Sequence, residues 1–477
     1  MERRTHIAVV SVPVVSHQIA ISEFCKRLIQ LNPIIRITFI IPVLDSLPNA
    51  SKSILCLSFS PKHTHHCSSS SELASRNCSS TQTSTCKSQS LPLLHDALFK
   101  SITSTSHVAA IVADYFAYEL LPFAKELNIL SYIFFPSAAT VTSLCLHSST
   151  LHETISCEYK ELQEPINIPG CIPIHGRDLP TSFQDRSSEV YKHFLLRSKA
   201  LRVVDGILVN SFVELEEGAL RAMTEESKGN PSVYMVGPIV QNVSHITHNN
   251  YNGSHCLAWL DEQTHRSVLF VTFGSGATLS QHQMNELALG LEQSSQKFVW
   301  VVREPNDLPS ANYFGGSSRQ EDPLSFLPCG FLERTKNQGL VIPFWAPQVE
   351  ILSHKAISGF LSHCGWFSTL EAVVNGLPTI VWPLFAEQRM IATILVDGLK
   401  VAVRPKASES GIVERCEVAK AIKSLMVGDE GMEIRNRMKV LQDAAASAMK
   451  IDGFSTTTLS QLVTKWESFG ACKENVS

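Results

Sequence analysis

Between Trp345 and Gln388 the chain reads WAPQVEILSHKAISGFLSHCGWFSTLEAVVNGLPTIVWPLFAEQ, and its residue types suit the successive parts of a sugar nucleotide. Trp345 offers a flat face for a base. The alternating run Ile357 to Leu361 predicts a buried strand, the small turn His363-Cys364-Gly365 follows, and a helix opens at Ser368 and stops at Asn375-Gly376. Free backbone N–H groups at such a helix start, with the positive end of the helix dipole, bind phosphate without a metal. Ser368 is suited to the N-cap, and Ser368 and Thr369 add hydroxyl donors. Glu371, one turn inside the helix, places a carboxylate where both ribose hydroxyls can donate to it. Glu387 beside Gln388 sets an acceptor-only group next to an amide that donates and accepts, a pair able to tell the hydroxyls of a hexose apart. Taken singly, each residue has a plainer reading, as a core Trp or a solvated acid and amide in a buried βαβ unit.

A second constellation supplies proton chemistry. His17 follows the first apolar run and Asp114 ends another, which places both at the edge where open α/β sheets bind ligands. A neutral imidazole on the loop Pro13 to His17 has the affinity to take a hydroxyl proton as that oxygen attacks. Asp114, accepting from the other ring nitrogen, would fix the tautomer and stabilise the imidazolium. The turn Gly274-Ser275-Gly276 also follows an apolar run, Val268 to Phe273. It lacks the third glycine of a nicotinamide-dinucleotide site, and no acid stands clearly at the end of the next strand to hold a ribose.

The elements that must position these groups alternate along the chain. His6 to Val12 reads as a central parallel strand, a helix with Ile21, Phe24, Cys25 and Leu28 on one face follows, and Ile35 to Ile41 is the next strand. Further strands are expected at Ile54 to Phe59, Val108 to Asp114, Ser131 to Phe135, Gly206 to Asn210 and Ser232 to Val236, with a helix from Ala117 to Leu127. Gln241 to Ser254, rich in Asn and Ser, reads as a linker. The alternation then resumes with the strand Val268 to Phe273, the helix Gln281 to Gln293 and the strand Lys297 to Val302, before a Gly, Ser and Pro-rich loop from Asn306 to Cys329. Leu459, Leu462, Val463 and Trp466 lay an apolar stripe on a last helix.

At 477 residues the chain is too long for one ordinary domain, and a net charge of −4 points to neither nucleic acid nor an anionic membrane. Its 13 cysteines are odd in number and scattered, which favours reduced thiols in a cytoplasmic protein and leaves the Asn-X-Ser sequons at Asn49, Asn77, Asn242, Asn252 and Asn475 without meaning. The opening MERRTHIAVVSVPVV imitates a signal peptide, but its apolar run is short and carries Pro13, so it reads as a strand. In the polar stretch Pro61 to Ser90, His63, His65, His66 and Cys67 lack the preformed geometry of a metal site.

The whole stretch Trp345 to Gln388, with WAPQ, HCGW, STLE, WP and the closing EQ, resembles without a gap the signature box of plant UDP-dependent glycosyltransferases of secondary metabolism. The likeness extends over nearly the whole chain, and Cys157 to Pro180 looks most like the group that glucosylates hydroquinone and other simple phenols. It implies the GT-B fold, an α/β architecture of two doubly wound Rossmann-like domains facing a cleft. Residues 1–240 would bind the acceptor, 255–454 the UDP-sugar, 241–254 would link them, and a last helix over 455–470 would cross back to the first domain. It implies His17 and Asp114 as the catalytic pair, and a donor set of Ser275, Trp345, Ala346, Gln348, His363, Gly365, Trp366, Phe367, Ser368, Glu371, Glu387 and Gln388. For the acceptor pocket it suggests Phe116, Ser137, Phe385 and Ala386. The expected reaction is an inverting transfer of glucose from UDP-glucose to a small phenol, without metal or other cofactor, by a monomer that neither enters a membrane nor binds nucleic acid. Two departures stand out: Phe367 replaces an Asn that in similar enzymes bonds a donor phosphate, and Val14, Val15 and Ser16 stand where the family has glycines before its His. They motivate an alternative, a catalytically impaired UDP-binding homologue with a regulatory role. A sugar-nucleotide epimerase of the same fold is a weaker rival, because it needs no acceptor base on the first loop.

Overall fold

The structure is a computed structural model, described here for residues 5–12, 14–41, 108–225, 229–241, 251–310 and 322–474. The expected strand Ile54 to Phe59, the polar stretch Pro61 to Ser90 with its His and Cys cluster, and most of the expected linker lie outside these residues. At the end of that linker, Tyr251 and Asn252 already belong to a helix, Tyr251–Asp261.

Continuous apolar runs give strands that are buried on both faces, which requires helices on both sides and parallel pairing. The first sheet consists of β1 (His6–Val10), β2 (Arg36–Ile40), β3 (Val108–Asp114), β4 (Leu130–Phe135), β5 (Gly206–Val209) and β6 (Ser232–Met235), in the order β2-β1-β3-β4-β5-β6. The second holds β7 (Val268–Thr272), β8 (Lys297–Val302), β9 (Gly339–Pro343), β10 (Ile357–Ser362), β11 (Thr379–Val381) and β12 (Ala402–Val403), in the order β12-β11-β10-β7-β8-β9. Each pairing is parallel. Order reverses beside β1 in one sheet and beside β7 in the other, and the carboxyl ends of strands at such a reversal open the crevice in which α/β folds bind ligands. In the first sheet Val10 pairs with Ala113, so Asp114 lies just past the end of β1. In the second, Thr272 pairs with Ser362, which brings the turn at Gly274 level with the turn at His363.

Two devices hold the flanking helices. Ser280 caps Gln281–Ser294 in the ordinary way, its hydroxyl accepting from the Gln283 N–H. Helix Ala139–Thr154 has no cap of its own. The buried carboxylate of Glu216 accepts instead from the N–H groups of Ala139 and Thr140, both at 2.8 Å, and from the hydroxyls of Thr140 and Ser211. After β3 the expected continuous helix is a 3₁₀ turn, Tyr115–Leu120, followed by Leu121–Glu126, because the Asp114 carboxylate and Pro122 each set a helix start. Asn128 ends it with φ of 50°.

The last helix, Phe454–Glu474, crosses back as expected: Leu459, Leu462, Val463 and Trp466 join Ile7, Val9, Phe24 and Tyr132 in one buried cluster of the first sheet. The Trp466 ring meets Tyr132 edge-on at 5.5 Å.

Candidate active site

His17 is not on a loop. Helix Val15–Leu31 begins two residues earlier, so the imidazole projects from its first turn, and Val14 and Val15 take ordinary places where a glycine turn was missed. Its Nδ1 lies 2.8 Å from Oδ2 of Asp114, which is fully buried at the end of β3. Oδ1 of the same carboxylate accepts from the Phe116 N–H at 2.9 Å, so both oxygens are fixed. Burial alone would lower the His17 pKa, but the charge and hydrogen bond of Asp114, with a further contribution from the charge of Glu387, raise it above the usual imidazole value. The Phe116 ring packs 5.2 Å from the imidazole. An imidazole whose Nδ1–H is committed to a carboxylate presents Nε2 as a proton acceptor.

Across the cleft, helix Trp366–Val374 starts two residues before the expected Ser368. Gly365 occupies the N-cap position without a side-chain bond, and Ser368 falls inside the first turn, where its hydroxyl accepts from Gln348 Nε2 at 3.0 Å. With no side chain capping it, the helix leaves its first N–H groups toward the turn. His363 is clamped there: a Cβ on Gly274 (φ +76°) would stand 2.6 Å from its Cε1, and one on Gly365 would stand 2.6 Å from its Nε2. Burial pushes the His363 pKa down to about 4, so the ring is neutral at physiological pH. Ser275 stands exposed in the turn beside it.

Glu371 is buried, accepts from Gln348 Nε2 at 2.5 Å, and is pushed by burial to a pKa of about 7, with the Gln348 bond opposing the shift. The Gln348 amide is thus spent on orienting Ser368 and Glu371. Trp345 is 40% exposed beside Ala346, as a stacking platform must be. Backbone with positive φ at residues other than glycine recurs here, at Phe344, Cys364 and Ala386, directly before Trp345, Gly365 and Glu387. Such strain, held in place by its surroundings, is characteristic of sites.

Three expectations change. Trp366 turns away from any donor: its Nε1–H donates to the Asn210 carbonyl of the first sheet's edge at 2.8 Å, and only its backbone N–H remains at the helix start. The Phe367 ring does not occupy a phosphate site but packs half-buried against the first sheet's core cluster. Gln388 cannot both donate and accept, because its Oε1 already accepts from the N–H groups of Leu384 and Phe385, leaving the amide NH₂ to donate. Glu387 accepts from the Ser137 hydroxyl at 3.0 Å, so one residue expected in the donor site and one expected in the acceptor pocket are bonded to each other across the cleft. The Ala386 carbonyl accepts from the Thr181 N–H at 2.8 Å, a second tie over the same gap. Thr181 and Asn210 were missed by sequence reasoning, since neither periodicity nor motif marks a residue whose part is a backbone contact with a distant segment. Among the described residues no three His, Cys, Asp or Glu side chains gather as a metal site would need, and no helix is long and apolar enough to cross a membrane.

With this geometry in view, comparison with known proteins is specific. Residues 233–438 match the family described as UDP-glucoronosyl and UDP-glucosyl transferase. The chain is 46% identical to a hydroquinone glucosyltransferase from Rauvolfia serpentina, over 98% of this chain and 99% of that one. It is 44% identical to UDP-glycosyltransferase 72B1 from Arabidopsis thaliana, over 97% and 96%. Among solved structures it superposes with a TM-score of 0.85 on Phytolacca americana UGT2 complexed with UDP-2fluoro-glucose and pterostilbene, at 40% identity and covering 97% of this chain and all of that one.

Proposed function

Because the chain belongs to the plant UDP-dependent glycosyltransferase family, with its GT-B fold, we propose that it transfers glucose from UDP-glucose, with inversion, to a hydroxyl of a small phenol. The observation that carries this reading is the bridge Ser137–Glu387. It joins the edge bearing the His17–Asp114 pair to the edge bearing the turn at His363, which supports a base and a donor meeting at one point. A related enzyme in complex with a UDP-sugar analogue and the phenol pterostilbene supports the same pairing of substrates.

In this reading uracil stacks on Trp345 beside Ala346, and the ribose hydroxyls donate to Glu371. The diphosphate is met by the N–H groups opening helix Trp366–Val374, by neutral His363, and by the hydroxyls of Ser275 and Ser368. Glu387 and the NH₂ of Gln388 hold the hexose hydroxyls. The phenol lies against Phe116, Phe385 and Ala386 with its oxygen at His17 Nε2. As that oxygen attacks the anomeric carbon from the face opposite UDP, its proton passes to His17, the bond from carbon to phosphate oxygen breaks, and UDP leaves with the electron pair. Asp114 stabilises the imidazolium. Since fixed donors at the turn already compensate the leaving charge, we assign no metal or organic cofactor to the step. The cysteines among the described residues are all free, which supports a reducing, cytoplasmic setting.

Incubation of the enzyme with UDP-glucose and hydroquinone, followed by mass spectrometry and NMR of the product, tests the proposal. A β-glucoside one hexose heavier than the acceptor is expected. An α-linked product would refute inversion. UDP binding without any product from a panel of phenols would instead support the impaired homologue.

A further inference from the structure

The acceptor side of the cleft contains a cation that the reaction does not use. Arg197, in the last turn of helix Glu189–Ala200, holds its guanidinium 4.7 Å from the centroid of the Phe116 ring and 5.5 Å from that of Tyr115. Phe116 is the ring packed on His17 at 5.2 Å, so only two ring contacts separate the guanidinium from the base. Arg197 Nε is buried and makes no hydrogen bond among the described residues, and no carboxylate among them lies in ion-pair range of its guanidinium. Arg197 as a whole is half-buried, and stacking on two aromatic faces compensates such a cation only in part, so a partly desolvated charge without a paired carboxylate favours an anionic ligand. The buried Cys145 thiol, 3.6 Å from the Tyr115 hydroxyl, relates this charge to the rest of the site. Its pKa is pushed up to about 12, chiefly by burial, and it feels both the Arg197 cation and the Glu387 anion, which therefore stand around one small region.

We propose that Arg197 makes this site selective for one-ring phenols that carry a carboxylate, the carboxylate pairing with the guanidinium while the phenolic oxygen is presented to His17. This rests on the glucosyl-transfer reading and names its acceptor class. The carboxylate is held away from the base and is not the nucleophile. The new bond therefore forms at the phenolic oxygen, the phenolic proton goes to His17, UDP leaves, and the product is an alkali-stable glucoside, not a glucose ester.

The test compares 4-hydroxybenzoate and 3-hydroxybenzoate with their methyl esters, which keep the ring and the phenol but lose the charge. For the full-length enzyme and for Arg197→Met and Arg197→Lys, kcat/KM is measured with each acid and its ester. In Arg197→Met the ratio of acid to ester should fall by about tenfold or more, through KM, and Arg197→Lys should retain an intermediate ratio. Because a ratio is read, a general loss of activity from poorer packing cancels. Equal losses for acid and ester, a ratio within about twofold of the parent, or ester-linked glucose as the product would each overturn the proposal. Calorimetric binding of 4-hydroxybenzoate and of its methyl ester to the UDP-loaded proteins reads the same ratio without turnover. A parent that binds acid over ester yet glucosylates nothing would sink the transferase reading and leave the Arg197 assignment standing.

Discussion

Replacing Asp114 with Asn tests the proposed catalytic pair at one atom. In the parent, Asp114 Oδ2 accepts from His17 Nδ1 at 2.8 Å while Oδ1 accepts from the Phe116 N–H at 2.9 Å, and the carboxylate has no exposed surface. An amide in this place keeps its oxygen toward Phe116, because that N–H must remain paired, and so turns its NH₂ toward the imidazole. His17 Nδ1 must then accept, and the ring proton moves to Nε2, the atom required to take the acceptor's proton. Restoring the working tautomer sets Nδ1–H against N–H in a buried place and loses a charge-assisted bond. That costs about 3 to 5 kcal/mol, or roughly a hundred- to several-thousandfold in kcat. The loss should be larger for an aliphatic alcohol than for a phenol, whose proton leaves more readily, and UDP affinity should be unchanged. The pH profile gives a second reading. As the proposed base His17 would act when neutral; burial pulls its pKa down, but the charge and hydrogen bond of Asp114, with the charge of Glu387, raise it overall, so activity should climb as pH rises through that elevated value. Removing the carboxylate charge should move this limb to lower pH. An Asp114→Asn enzyme with kcat within about tenfold of the parent and an unmoved acid limb would refute the tautomer argument.

Two other outcomes follow from the donor side. Burial raises the Glu371 carboxyl to about 7, so it is protonated below that value and ionised above it, and only the ionised form accepts from both ribose hydroxyls. UDP affinity measured by calorimetry should therefore rise with pH through about 7, and Glu371→Gln should flatten that rise; parallel curves for the two proteins would remove Glu371 from the ribose. Phe367→Asn, if the shorter side chain turns from the first sheet's core to the helix start, should add a phosphate donor and lower donor KM about tenfold, while lowering Tm because a half-buried ring leaves that core. A lower Tm with an unchanged KM would mean that Phe367 acts in packing alone.

Much of this was readable in the chain because it is local. Runs such as Ile7 to Val10 must be buried on both faces, and the turn His363 to Gly365 must precede a helix, so most of the strands and the turn before that helix followed from periodicity and small residues, whereas β9, β11 and β12 were not among them. The register of the site was harder. His17 looked like a loop residue because Val14 to Ser16 lack glycine, whereas those residues suit the start of a helix. Ser368 looked like a cap because nothing local revealed that Trp366 would be drawn to the Asn210 carbonyl, which fixes the helix start two residues earlier. Glu216, unremarked in its own segment, caps a helix more than sixty residues upstream. A side chain whose partner is backbone far along the chain leaves no spacing to recognise.

The returning helix Phe454–Glu474 also has a consequence for engineering. Because Leu459, Leu462, Val463 and Trp466 complete the core of the first sheet, the half built on that sheet, which we propose binds the acceptor, is discontinuous in sequence. A chimera that exchanges acceptor specificity between relatives by cutting once near residue 241 would pair one parent's sheet with the other parent's Trp466, and its failures would reflect a mismatched core, not incompatible substrates. Grafts that carry the terminal helix along with the first half keep that core from a single parent.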